Sequence, residues 1–202
     1  MSAGAIPRNK ETSGNAGAAG SPSAFLSDIN TIRERARRQV LDGAVTPSYG
    51  ADRAVVLGLL NSALATEIVC VLRYRRHYFM ASGALGEAIK HELLEHANEE
   101  QAHADRIAER IVQLGGEPDL NPLGIGERSH SEYVAGETLG EMVNEDLVAE
   151  RVAIESYTEM IRFIGDSDPT TRRMLEGILA NEEEHAEELA SMLETVSGRA
   201  RG

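Results

Sequence analysis

The chain has 202 residues, enough for one domain with a sizeable hydrophobic core. It contains no tryptophan and only 4% aromatic residues, with 42% hydrophobic residues overall, a composition that favours helices over sheets. The formal net charge of −13 argues against general nucleic-acid binding by the body of the protein and is compatible with attracting cations.

Residues 1–26 are predicted to be a disordered tail, because they are rich in Gly, Ala and Ser and contain few large apolar side chains. Residues 27–50 are predicted to form a short helix, about Ser27–Asp42, and a linker. The basic cluster of the chain lies on this helix and consists of Arg33, Arg35, Arg37 and Arg38. We interpret it as a solvated helix face, and a contact with DNA or with an acidic neighbouring subunit stays open.

Residues 51–198 contain four long apolar-patterned segments, each predicted to be a helix. They span about Asp52–Ala81, Leu85–Leu114, Thr138–Gly165 and Asp168–Val196. Thr138 and Glu141 have the spacing of a capping box at the start of the third helix. Asp168 followed by Pro169 is typical of the first residues of a helix and begins the fourth.

The connections between these helices determine the topology. Few residues separate the first helix from the second and the third from the fourth, so each pair is expected to be an antiparallel hairpin. Residues 115–137, rich in Gly, Pro, Asn and Ser, are long enough to cross the length of a helix, about 45 Å. The sequence therefore predicts an all-α fold, an antiparallel four-helix bundle with one long crossover between helices two and three.

The longest apolar stretch, Ala54–Leu72, is interrupted by four polar residues, among them Glu67. We therefore interpret it as a core helix and expect no membrane span. The N-terminal residues show no signal-peptide pattern, and the single cysteine, Cys70, is expected to be a buried, reduced thiol. A cytoplasmic location is the expectation that follows.

A glutamate is followed three residues later by a histidine in both the second and the fourth predicted helix. The two pairs are Glu100-x-x-His103 and Glu182-x-x-His185. Side chains at this spacing lie on the same face of a helix and can bind one ion together. In the first and third helices the apolar stripe is interrupted by a single glutamate, Glu67 and Glu150 respectively. Every long helix thus places a metal-binding side chain in the expected core.

Buried carboxylates without partners cost several kcal/mol each, and four of them would exceed the roughly 5–15 kcal/mol stability of a typical domain. Two cations would neutralise the set, and four glutamates with two histidines are the ligands of a carboxylate-bridged di-iron or di-manganese site. We therefore predict a dinuclear site for two Fe or two Mn ions. Its predicted ligands are Glu67, Glu100, His103, Glu150, Glu182 and His185.

Four further residues are expected close to these ligands. Tyr74 and Tyr157 each follow the lone glutamate of their own helix by seven residues, which returns the hydroxyl to the same face. Asp146 is interpreted as an acceptor for a ligand histidine, with a solvent-exposed acid as the alternative. His96, seven residues before His103, is interpreted as a hydrogen-bonded non-ligand; a third imidazole ligand or a transient iron site stays open.

The ordered patterns Glu-x6-Tyr, Glu-x-x-His, Glu-x6-Tyr and Glu-x-x-His resemble those of the ferritin-like superfamily over about residues 52–196. The stretch Glu99–Arg106 looks most like bacterioferritin. The resemblance implies a di-iron ferroxidase that oxidises Fe(II) with O2 or H2O2 for iron storage and oxidative-stress protection, using the six ligands above. It also implies a homo-oligomeric cage.

Two departures from bacterioferritin refine this expectation. Gln101 stands where bacterioferritin has its haem-binding methionine, so haem is not expected. No short fifth helix is expected after the fourth, which favours a smaller assembly similar to the dodecameric DNA-protecting mini-ferritins, with a dimer left open.

Two alternative functions stay open. One is a peroxide-consuming di-metal enzyme, either a manganese catalase or a rubrerythrin-like peroxidase, although a single cysteine excludes a Cys-x-x-Cys iron domain within this chain. The other is a DNA-protecting cage, whose support is the arginine cluster together with Arg199 and Arg201.

Overall fold

The computed structural model describes Met1 and residues 28–198. The described residues form six helices: α1 (Ile29–Arg38), α2 (Arg53–Met80), α3 (Gly83–Gln113), α4 (Ile125–Arg128), α5 (Leu139–Ile164) and α6 (Pro169–Val196). The prediction of an all-α fold is confirmed. Apart from Met1, the predicted tail at 1–26 lies outside the described residues, and so do Arg199 and Arg201.

Helix α1 lies in a separate unit of the chain that ends at Val40. Asp28 caps it by accepting a hydrogen bond from the Thr31 amide at 3.0 Å. None of its residues is buried, and the arginines of the basic cluster are exposed. The helix ends at Arg38, short of the predicted Asp42, because continuing it would bury no apolar surface to stabilise another turn.

Helices α2, α3, α5 and α6 form the bundle. Helix α2 packs along α3 and α5 packs along α6, and contacts from α2 to α5 and from α3 to α6 join the two hairpins. Two predicted helix starts are confirmed. Thr138 and Glu141 form the capping box of α5, and Asp168 caps α6, with Pro169 in its first turn. Gly115 follows α3 with a φ of 74°, a conformation that glycine adopts without strain.

The crossover between α3 and α5 runs along α2 and contains the short helix α4, which the sequence did not predict. Side chains of α2 bond the crossover in chain order: Asn61 to the Asp119 amide at 2.7 Å, Thr66 to the His130 amide at 2.9 Å, Arg73 to the Glu132 carbonyl at 3.0 Å and His77 to the Ala135 carbonyl at 2.9 Å. The crossover therefore runs parallel to α2, and α5 returns antiparallel to it.

A buried ionic network joins α2 to α5. The Asp146 carboxylate accepts a hydrogen bond from Arg73 Nε at 2.9 Å, and its other oxygen lies 2.8 Å from His77 Nδ1. All three residues are completely buried. Because an unpaired charge at this depth is costly, the network fixes the register of α2 against α5.

Two apolar clusters fill the bundle core, and a polar layer separates them. The first cluster includes Leu60, Leu64, Ile107, Tyr157 and Ile178. The second includes Tyr74, Leu93, Ala97, Val143 and Leu189. Along each of the four helices, the predicted ligands fall between residues of the two clusters, so the apolar core encloses them from both ends.

Among the described helices, α2 is long and apolar enough to span a membrane by length and composition alone. Its most apolar 18-residue window has a mean hydropathy of 2.1, and 56% of that window is buried inside the structure. Leu60, Leu64 and Tyr74 are 1% exposed or less. The burial of α2 identifies it as a core helix of the bundle.

We expect Asp146→Ala to lower the free energy of unfolding by about 3–5 kcal/mol, because it leaves Arg73 buried without its partner. Urea denaturation of the chelator-treated protein at a fixed chain concentration measures this change. Asp105→Ala, at an exposed position on α3, is the control and should change stability by less than about 0.5 kcal/mol. Equal stability of the two variants would contradict the role given to the network.

Candidate metal centre

The six predicted ligand residues lie together in the polar layer, each at most 2% exposed. Helices α2 and α5 contribute one glutamate each, and α3 and α6 contribute one glutamate–histidine pair each. The two histidine rings face each other nearly parallel, with their centroids 6.2 Å apart. A set of four carboxylates and two imidazoles thus occupies the centre of the bundle.

The six residues divide into two overlapping groups, within each of which one ligand atom per residue lies within 4.8 Å of the others. The first group is Glu67, Glu100, His103 and Glu182, and the second is Glu100, Glu150, Glu182 and His185. Glu100 and Glu182 belong to both. The arrangement therefore provides two adjacent four-residue positions that share two carboxylates, as a carboxylate-bridged pair of cations would require.

Each histidine directs Nδ1 toward the carboxylates. His103 Nδ1 lies 3.0 Å from a Glu182 oxygen, 3.4 Å from Glu67 and 3.6 Å from Glu100. On the other side, His185 Nδ1 lies 3.4 Å from Glu100 and 3.7 Å from Glu182. Glu150 also lies 4.0 Å from His185 Nδ1. Each imidazole thus faces both shared glutamates and one glutamate that belongs to a single group, Glu67 or Glu150, which we call the terminal glutamates.

The other ring nitrogens point away from the centre. His185 Nε2 lies 2.6 Å from Glu99 Oε2, and His103 Nε2 lies 3.4 Å from Asn181 Oδ1. With a proton on Nε2 directed to such an acceptor, Nδ1 is the nitrogen that can bind a cation once it has lost its own proton. Glu99 and Asn181 were missed by the sequence interpretation, although each directly precedes a predicted ligand glutamate.

Asp146 does not have the role predicted for it. Both of its carboxylate oxygens are engaged by Arg73 and His77, and the bond from His185 goes to Glu99 instead. Asp146 is four residues before Glu150 and so lies near the same face of α5, but its carboxylate is bonded by the long Arg73 side chain from α2. Both alternatives are therefore wrong: Asp146 accepts from no ligand histidine, and it is not solvent-exposed.

The two tyrosines bond across the bundle rather than within their own helices. Tyr74 on α2 donates to Glu150 on α5, and Tyr157 on α5 donates to Glu67 on α2. Because the two helices are antiparallel, a tyrosine seven residues after one glutamate lies opposite the other. Each terminal glutamate is therefore held by a hydroxyl from the facing helix.

His96 lies outside both four-residue groups and is 1% exposed. Its Nε2 lies 2.8 Å from Glu188 Oε2, its ring stacks on His185 with centroids 4.2 Å apart, and Tyr74 meets it edge-on.

Gln101, the residue at the position of the haem-binding methionine of bacterioferritin, donates a hydrogen bond to Asp105 at 2.9 Å.

The electrostatics separate the four glutamates into two kinds. Burial and the charges of Glu100 and Glu182 raise the pKa values of Glu67 and Glu150 well above the ordinary range. Burial opposes ionisation of Glu100 and Glu182 too, but the neighbouring imidazoles outweigh it and lower the pKa values of both. The terminal glutamates are thus harder to ionise than an ordinary glutamate, whereas the two shared glutamates are easier to ionise.

The pKa values of the two histidines are raised, which favours their charged forms. Burial disfavours their charged forms, but interactions with Glu100 and Glu182 raise the pKa of His103 to about 12 and that of His185 to about 10. Two imidazolium groups therefore balance two carboxylates among the side chains themselves. These interactions offset part of the cost of burying the two shared carboxylates.

Several ligand atoms in the layer are still without hydrogen-bond partners. They are Glu67 Oε2, Glu100 Oε1, His103 Nδ1, Glu150 Oε2, both oxygens of Glu182 and His185 Nδ1. The short nitrogen–oxygen distances above do not meet hydrogen-bond geometry at these atoms. Buried polar atoms without partners are costly, and here all of them surround the same two positions. The donor set therefore fits a pair of divalent cations bound through carboxylate oxygens and imidazole nitrogens.

Comparison with known proteins gives consistent results. The family described as the ferritin-like domain matches residues 57–198. The bacterioferritin of Desulfovibrio desulfuricans is 31% identical over 136 residues, which cover 66% of this chain and 71% of the relative. The DNA protection during starvation protein of Pyrococcus furiosus is 34% identical over 140 residues, covering 67% of this chain and 75% of that protein.

A solved structure extends the comparison to three dimensions. The bacterioferritin-related protein from Bacteroides fragilis, described as a dodecameric thioferritin, superimposes with a TM-score of 0.70 at 32% sequence identity. The match covers 73% of this chain and 89% of that one. The bundle is therefore shared over nearly all of the neighbour's length.

Binding of two divalent cations is expected to release protons, because the pKa values of four ligand groups are raised: Glu67, His103, Glu150 and His185. Since protons compete with the cation for these atoms, affinity should rise with pH across the neutral range. Calorimetric titration with Co(II) in buffers of different ionisation enthalpy counts the protons. Glu150→Gln, which removes one of these groups, should release fewer protons, and binding without proton release would contradict the direction of these pKa shifts.

Proposed function

The chain belongs to the ferritin-like family, and on that premise we propose that it is a ferroxidase, oxidising Fe(II) at the buried centre with O2 or H2O2 as the oxidant. The proposed purpose is iron storage and protection against oxidative damage, as the names of its bacterioferritin and starvation-protection relatives suggest at the level of the family.

One observation carries this proposal: the two buried ligand groups share Glu100 and Glu182. Two ions held by common carboxylates lie close enough to react together with one oxidant molecule. Oxygen ligands with one imidazole per position suit iron or manganese better than zinc or copper, which generally prefer more nitrogen or sulfur. The proposed occupants are therefore two iron ions bound as substrate, with manganese as the alternative.

In the proposed reaction, two Fe(II) ions bound as substrate supply one electron each. The pair of electrons, with two protons, reduces one H2O2 to two water molecules, or one O2 to one H2O2. The chain's own residues make this transfer possible by holding both positions at once. Glu100 and Glu182, already ionised, provide the shared negative charge that favours the ferric product.

The surrounding side chains keep the ligands in place. Tyr157 and Tyr74 hold Glu67 and Glu150 by hydrogen bonds from the facing helix, and the pKa values of both hydroxyls are raised by burial, so they remain donors. Glu99 orients His185 through Nε2. The apolar clusters above and below exclude bulk water, which strengthens every charge interaction in the layer.

We expect the protein to assemble into a cage of many copies, because the structural neighbour from Bacteroides fragilis is described as dodecameric. Large apolar side chains are exposed on the isolated chain, including Leu72, Phe79, Val148 and Phe163, and burial between copies would remove them from water. Light scattering coupled to size exclusion should give a mass near twelve chains. A dimer would contradict the cage and leave storage of ferric mineral without a compartment.

The alternatives differ in measurable ways. A peroxide-consuming di-metal enzyme would dismutate H2O2 with Mn and accumulate no ferric mineral. A DNA-protecting cage is supported by the exposed arginines of α1 and by the name of the Pyrococcus furiosus relative, and it is opposed by the net charge of −13.

Replacing Glu150 with alanine should slow Fe(II) oxidation more than about 10-fold, because it removes the terminal ligand of one position. The appearance of ferric absorbance after addition of Fe(II) and either oxidant measures the rate. Glu155→Ala, an exposed glutamate on the same helix, is the matched control and should retain the normal rate. Oxidation at the control rate in Glu150→Ala particles of normal size would refute the ligand assignment.

A further inference from the structure

A second group of potential metal ligands lies beside the centre. Glu92 and His96 on α3 and Glu188 on α6 place a ring nitrogen and two carboxylate oxygens within 4.8 Å of one another. None of these residues belongs to either four-residue group of the buried centre. The function proposed above makes no use of them.

The three residues extend from the core toward the surface. His96 is 1% exposed, Glu92 is half-buried, and the Glu188 side chain is 45% exposed. Glu92 and His96 are four residues apart on one helix, so their side chains lie on the same face. A cation arriving from solvent would meet the carboxylates first and the imidazole behind them.

The distances suit coordination. His96 Nε2 and Glu188 Oε2 lie 2.8 Å apart, and two neighbouring ligand atoms each about 2.1 Å from one cation lie about 3 Å apart. The second ring nitrogen, Nδ1, is buried and has no hydrogen-bond partner. The imidazole therefore retains a free nitrogen in addition to the one that faces the carboxylate.

In the described residues, histidine is the one basic side chain paired with a carboxylate of this group. No lysine or arginine in the described part of the chain forms an ion pair with Glu92 or Glu188; the one partner found for Glu188 is His96. Two carboxylates beside a buried imidazole attract a divalent cation, and their local charge adds to the acidic balance of the whole chain.

The group also contacts the buried centre directly. The His96 ring stacks on His185, with centroids 4.2 Å apart and planes inclined by 22°. His185 in turn faces the second four-residue position through Nδ1. One layer of imidazole thus separates the outer group from the inner pair.

We propose that Glu92, His96 and Glu188 form a third divalent-cation site, from which Fe(II) passes to the buried pair. The binding site stands on its own geometry. The passage of Fe(II) rests on the proposed function, since it requires the inner pair to consume the ion.

Titration of the chelator-treated protein with Co(II), followed by calorimetry and visible absorbance, tests the site. The wild-type chain should bind three equivalents and Glu188→Gln should bind two. The glutamine can still accept the hydrogen bond from His96 but lacks the charge that a cation requires, and its partly exposed position tolerates the change. His96→Ala should also lose the third equivalent.

His91→Ala is the matched control, because His91 belongs to an exposed neighbouring group with Glu92 and Glu95. It should keep three equivalents. Loss of one equivalent in His91→Ala but not in Glu188→Gln would place the ion at the exposed group and overturn the proposal, as would two equivalents in the wild-type chain. Fewer than two equivalents of Co(II) in the wild-type chain would refute the buried pair. In that case a lower Co(II) count in Glu188→Gln than in wild type would support the third site, and an equal count would overturn it.

Stopped-flow oxidation at limiting Fe(II) tests the passage of iron. Glu188→Gln should oxidise Fe(II) several-fold more slowly than wild type under these conditions, whereas His91→Ala should match wild type. A Glu188→Gln variant that binds only two Co(II) yet oxidises limiting Fe(II) at the wild-type rate would retain the site but refute its role in loading the pair. Absence of Fe(II) oxidation in the wild-type protein would instead refute the proposed function.

Discussion

The sharing of Glu100 and Glu182 between two imidazoles is the interaction on which the rest of the structure depends. Four carboxylates confined to one buried layer repel each other strongly, and burial alone would keep them neutral. His103 and His185 stand on either side of the shared pair, keep it ionised and become charged themselves. The imidazoles thus offset the charge of the shared carboxylates, and the layer can exchange protons for cations. A bundle of the same shape with an apolar layer would be simpler to fold but would bind no metal.

The register of the helices makes this layer possible. Arg73 and His77 on α2 hold Asp146 on α5, and the crossover follows α2 residue by residue from Asn61 to His77. One turn from that network, the antiparallel pairing of α2 and α5 brings each tyrosine opposite the other helix's glutamate. A slip of α5 by one residue would separate both tyrosine–glutamate pairs and unpair Arg73. The ionic network, which contacts no predicted ligand, therefore sets the geometry of the centre.

Much of this organisation follows from the sequence, and the remainder depends on which helix faces which. Helix signals such as Thr138 with Glu141 and Asp168 with Pro169 are local, so the helix ends were predicted closely. The six inward residues were found because they interrupt apolar stripes. The choice of partners across helices was not predictable: Tyr74 bonds Glu150, Glu99 bonds His185, and Asp146 bonds Arg73, each over a separation of more than 70 residues. Helix α4 was missed because a single turn buries too little to leave a pattern.

The family membership and the geometry answer different questions. The likeness to bacterioferritin and to the dodecameric thioferritin indicates what such bundles are used for, whereas the shared carboxylates indicate how this chain would hold two ions at once. The most direct test is an anomalous-difference map at the iron edge, from crystals of the protein loaded with Fe(II) without oxygen. The account predicts two iron peaks inside each bundle, one beside His103 and one beside His185, with Glu100 and Glu182 bound to both. A single peak, or iron only at the surface, would contradict it.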